Sequence, residues 1–158
     1  MSVPGRWVKV FALIAAICVW EMKAMAADGL ITVQSNYAPT ETMNRLETEV
    51  KAKGFAVFAR IDHAAGAAQV GLPLRPTELL IFGNAKGGTP LMQAVQTIGI
   101  DLPLKALVWQ DAGAVTWLSY NDPNWAAKRH GLGAEADATD KAMAAALDAV
   151  AKAATAAQ

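Results

Sequence analysis

His63 and His130 are the only imidazoles in the chain. Imidazole titrates nearest neutral pH and is the commonest metal ligand. Each histidine stands at the edge of an expected element, where connecting loops gather. If the fold brings the two together, Asp62, Asp122 and Tyr120 are their natural neighbours, and the pair could hold a metal ion or a small ligand. No His-x-x-His or Glu-x-x-His spacing joins them, so a shared site depends on the fold. One of them, His63 or His130, could instead serve alone as general base of a small cofactor-free enzyme. A third possibility is a structural dimeric interaction module in which neither histidine does chemistry.

The second candidate is the run Gly83-Asn84-Ala85-Lys86-Gly87-Gly88-Thr89. It falls between an expected strand and an expected helix, where backbone N–H groups and the helix dipole attract anions. Asn84, Lys86 and Thr89 would add side-chain donors. The spacing is not that of a phosphate loop, which needs a lysine and a hydroxyl residue directly after the second glycine. The candidate ligand-binding set is therefore His63, His130, Tyr120, Asp122, Asn84, Lys86 and Thr89, with His63 and His130 the metal candidates. Beyond Ser2, the only serines are Ser35 and Ser119, and neither lies in Gly-x-Ser-x-Gly. The carboxylates are scattered, with no pair marked as acid and base. No reaction and no cofactor follows from these residues.

The elements that must position them belong to a chain of ordinary one-domain length, 158 residues with 54% hydrophobic and 18% charged side chains. A formal charge of zero gives no electrostatic reason to expect nucleic acid as a partner. Residues 1–26 read as a cleaved signal peptide: Arg6 and Lys9, then the apolar run Val10 to Trp20, then Ala24-Met25-Ala26. That run is far shorter than the ~20 residues of a membrane span, so the expectation is a periplasmic or secreted protein that does not span the membrane. Cys18 lies in the leader after Ile17, which is unsuited to lipoprotein processing. The remainder, 27–158, has no cysteine, which excludes disulfides and thiolate chemistry there. Losing Arg6, Lys9, Lys23 and Glu21 leaves it mildly acidic.

Hydrophobic periodicity gives a strand at Leu30–Gln34 and a helix from Pro39 to Lys53 with Met43, Leu46 and Val50 on one stripe. A strand follows from Phe55 to Ile61, with Phe55, Val57, Ala59 and Ile61 on one side. The small-residue stretch from His63 suggests a short helix or turn. A strand spans Thr77–Phe82. Thr89 and Pro90 look like the N-cap and first residue of a helix stopped by Gly99. Leu104–Gln110 and Ala114–Tyr120 then form a hairpin around Asp111-Ala112-Gly113. A short helix follows from Trp125, closed by Gly131, and an alanine-rich helix spans 135–155. Trp109, Trp117 and Trp125 suit core or interface packing better than a pocket.

Asp62-His63, Ile81-Phe82-Gly83-Asn84, Gly88-Thr89-Pro90-Leu91-Met92, Asp101-Leu102-Pro103-Leu104-Lys105 and Tyr120-Asn121-Asp122-Pro123 occur in an order that resembles domain-of-unknown-function family 302, over roughly Leu30 to Leu132. Ala85 stands where the family usually has proline. The resemblance implies a single α+β domain, a mostly antiparallel sheet with helices on one face in a TATA-binding-protein-like β-α-β-β-β-β-α arrangement with inserted short helices. It also implies a homodimer. It implies no reaction.

Overall fold

The computed structural model describes residues 27–133 and 137–157; the expected leader and residues 134–136 lie outside them. Five strands run β1 Leu30–Gln34, β2 Ala56–Asp62, β3 Thr77–Gly83, β4 Leu104–Gln110 and β5 Thr116–Asn121. Five helices run α1 Pro39–Ala52, α2 His63–Gln69, α3 Ala85–Ala94, α4 Pro123–Arg129 and α5 Asp137–Thr155, with a 3-10 turn at Gln96–Ile100. The sheet order is β1-β5-β4-β3-β2, and every neighbouring pair is antiparallel. This is an α+β domain.

The core explains the sheet's sidedness. Met43, Leu46 and Val50 of α1 and Leu147, Val150 and Ala154 of α5 are buried against Leu80, Phe82, Ala106, Val108, Leu118 and Tyr120. Successive strand residues alternate faces, so this helix-bearing face takes every second residue of β3, β4 and β5. Helices α3 and α4 pack on α5 rather than on the sheet's other side. Arg45 ties the two large helices together, donating to the carbonyls of Ala153 and Ala154 near the end of α5.

Three expectations change. Strand β2 does not keep one alternation: a bulge falls between Val57 and Ala59, so Val57 pairs with Phe82 and Arg60 with Leu80. The extra residue, Phe58, turns the following side chains over. Arg60 therefore lies on the helix side, where it bonds Glu78 and reaches Asn44 and Glu47 of α1. The β4–β5 hairpin keeps its pairing but β5 starts at Thr116, because Asp111 N–H bonds Val115 O across the loop. The left-handed residue there is Ala114, with φ of 61°, and not Gly113. The third change concerns α3.

Candidate functional site

Helix α3 begins at Ala85, five residues before the expected first residue Pro90. Asn84 is its N-cap, its side-chain oxygen accepting from Lys86 N–H at 2.9 Å. Asn84 carries out the role expected of Thr89 because it is the last extended residue after β3, and Asn caps as well as Thr. Thr89-Pro90 sits inside the helix, and the chain leaves helical geometry at Val95 rather than at Gly99. The glycine-rich run is thus a helix surface and not an open turn. Missing side chains leave room beside it: a Cβ on Gly83, the last residue of β3, would come within 3.2 Å of the Phe58 ring, and one on Gly88 of α3 within 3.5 Å of Leu102.

That helix forms one wall of a cavity of about 270 Å³. Phe55 just before β2 and Phe58 at its bulge, Met92 of α3, Leu102 and Leu104 before and in β4, and Met143 of α5 supply its apolar surface. Asn84 and Thr89 are its polar side chains. A pocket of this size, apolar with a few polar groups at its edge, suits a small organic molecule rather than a hydrated anion. Lys86 is exposed on α3 and is not part of the lining.

His130 lies elsewhere, at the C-cap of α4. Its Nε2 is 2.7 Å from Asp101 Oδ2 and its Nδ1 is 3.0 Å from Thr97 Oγ1. A carboxylate can only accept, so Nε2 carries the hydrogen. Neutral His130 then accepts at Nδ1 from the Thr97 hydroxyl. Arg129 Nη1 donates to the same carboxylate at 3.1 Å. The His130 side chain is only 9% exposed and that of Asp101 12%. This Asp101–His130–Thr97 chain clasps the 3-10 turn to α4. Asp101 and Thr97 were absent from the sequence-derived set, although Asp101 opens one of the family-like motifs.

The structure does not bring the two histidines together. His63 follows Asp62, which pairs with Glu78 at one end of the sheet, and opens α2. β5 leaves the sheet at Asn121, at the other end, and leads through α4 to His130. Asp62 caps α2 by accepting from Ala65 N–H. Asp122 caps α4 by accepting from Asn124 N–H. Tyr120 is 4% exposed within the core, where burial and then the carboxylates of Asp148 and Asp122 push its phenol above the ordinary range. Among the described residues no three His, Cys, Asp or Glu side chains cluster to hold a metal ion.

Residues 31–150 match the family described as domain of unknown function DUF302. The chain belongs to that family. A crystal structure of an uncharacterized conserved DUF302 protein from Bacillus stearothermophilus superposes with a TM-score of 0.71 at 22% identity, covering 80% of this chain and 98% of that one. This likeness is one of fold. Curated relatives include the fluoride-specific ion channel FluC 1 of Brucella suis, 49% identical over 122 residues that make up 77% of this chain and 48% of that protein. FluC 2 of Brucella melitensis gives the same identity over 45% of its length. The chain spans about half the length of the curated relatives it matches. Of the family-like motifs, Gly83-Asn84 and Leu102-Pro103-Leu104 line the apolar cavity side by side, whereas Asp101 bonds His130.

Proposed function

We propose that this DUF302 chain is a secreted, periplasmic binding or accessory module that holds a small, largely apolar molecule between α3 and the β2–β3 end of the sheet, and that it works as a pair of copies. The observation that carries the reading is the cavity of about 270 Å³ walled by Phe55, Phe58, Met92, Leu102 and Met143 and edged by Asn84 and Thr89. Arg6, Lys9 and the run to Ala26 support export. The accessory role is supported by relatives that carry a similar length inside longer proteins named as ion channels. Among the described residues no helix is long and apolar enough to cross a membrane. We read the matched length as serving such a channel rather than forming it.

Binding of 1-anilinonaphthalene-8-sulfonate, with native mass spectrometry of protein from its own cells, tests the pocket. Met92→Trp fills the cavity and should abolish probe binding while the unfolding midpoint stays near that of the parent. Equal probe binding by both proteins would remove the pocket from consideration.

A second reading rests on the Asp101–His130–Thr97 chain. A carboxylate-oriented imidazole beside a hydroxyl is the arrangement of a general base, and the proton it would take is that of Thr97. Turnover of any ester or amide panel substrate, lost in both His130→Ala and Thr97→Val, would favour the enzyme.

A further inference from the structure

The sheet carries its large helices on one side, and the middle of its other side is apolar, flanked by Thr32, Thr77, Ser119 and Asn121. By the pairing register, Ile61, Leu79 and Leu107 share that open face with Ile81, Trp109 and Trp117. Ile61 is 40% exposed, and the other five are partly exposed and lie outside the buried core cluster. The two indoles stack with centroids 6.2 Å apart and planes 25° apart. Their polar edges are already satisfied: Trp109 Nε1–H donates to Ser119 Oγ and Trp117 Nε1–H to Asp111 Oδ2. The ring faces left over offer nothing but apolar surface.

We propose that a second copy of this chain docks on this face, sheet against sheet about a two-fold axis. The proposal rests on the pairing of copies in the function above and adds the surface that makes it. Two observations select a second copy as the occupant. The first is charge. Among the open-face positions of the paired strands the one ionic side chain is Lys105, whose Nζ is drawn aside to the Asp101 carbonyl at 3.4 Å. A two-fold contact sets a face against itself, so a face with many like charges would repel its copy, and this one does not. The second is area. Five strands of five to seven residues, at about 4.8 Å spacing and about 3.4 Å rise, give a face of about 520 Å². Two copies then bury about 1,050 Å², just above the ~1,000 Å² expected of a specific interface.

Sedimentation equilibrium on the protein purified from its own cells tests this, with Leu107→Glu and Ile61→Glu as variants. A charge on the open face should weaken association by about 30-fold or more without changing the far-ultraviolet circular dichroism. A dimeric parent with equally dimeric, folded variants would overturn the surface while leaving pairing itself in place. A parent that is monomeric at every concentration would overturn both, and co-sedimentation with anionic or neutral vesicles would then show whether a membrane is the occupant. Should the variants fail to fold, dilution of the parent decides. Trp109 and Trp117 emission should shift to the red as the dimer dissociates, and an unshifted spectrum across dissociation rejects the open face.

Discussion

His130 Nε2 and Asp101 Oδ2 stand 2.7 Å apart, joining the end of α4 to the residue that closes the 3-10 turn before β4. Both side chains are nearly buried, so the bond is shielded from water and salt. Asp101→Asn should lower stability by about 1–3 kcal/mol, the usual worth of a hydrogen bond to a charged group whose loss strands a buried partner. Arg129→Ala removes a half-exposed ion pair and a guanidinium placed over the Trp125 ring, and should cost about 1 kcal/mol or less. Urea titration of both variants separates the two effects, and equal losses would mean that Asp101 matters through Arg129.

The start of α3 makes a second prediction. Asn84→Ala removes the cap and should cost about 1 kcal/mol. Thr89→Ala, at an exposed position inside the helix, should change the unfolding midpoint little. The reverse ranking would place the helix start at Thr89.

Glycines divide into two kinds here. Gly66 lies inside α2 with nothing near its missing Cβ, so Gly66→Ala should stabilise by about 0.5–1 kcal/mol. Gly29 has φ of 75°, and a Cβ there would stand 2.2 Å from Trp125 Cγ. Gly29→Ala should therefore destabilise, by about 1–3 kcal/mol, and thermal melts should move in opposite directions for the two variants.

Asp111 gives a pH dependence. The Trp117 indole N–H and then the Val115 backbone N–H hold its carboxylate below the usual aspartate range. A folded pKa lowered in this way contributes stability that is present above the unfolded value near 3.8 and is lost as pH falls through the folded value. Acid should thus loosen the β4–β5 hairpin, reported by Trp117 fluorescence. Asp111→Asn should remove that acid transition, and an unchanged acid titration in the variant would assign it to another group.

The order of elements was legible because each carries its own signal: the Met43, Leu46, Val50 stripe, the alternation of Leu104–Gln110 and the alanine content of the last helix. Boundaries failed where two residues competed for one task. Asn84 and Thr89 are both good caps, and only the end of β3 decides between them. The flip at Phe58 left no mark, because Val57, Phe58 and Ala59 read equally well on either face. Asn84 and Thr89 stand out in the sequence as possible ligand donors, but the cavity they edge is made by Phe55, Leu102 and Met143, which are remote in sequence. The pairing of His130 with Asp101 has the same origin. Their distance along the chain is closed by α4 folding back on α5, which no local pattern encodes.

The placing of β1 at the sheet's edge has a consequence for the order of assembly. Its partner in the sheet is β5, and Thr32 and Ser119, bonded across that ladder, are 87 positions apart. The β2–β3, β3–β4 and β4–β5 contacts close shorter loops and lose less chain entropy on forming. A ribosome therefore delivers β1 first and supplies its partner almost last. Leu30–Gln34 waits as a bare, β-prone segment open to the wrong neighbour. Pulse-labelled hydrogen exchange during refolding should find its amides protected after those of β3 and β4, and early protection would refute this order. The strand made first is the one that completes the sheet.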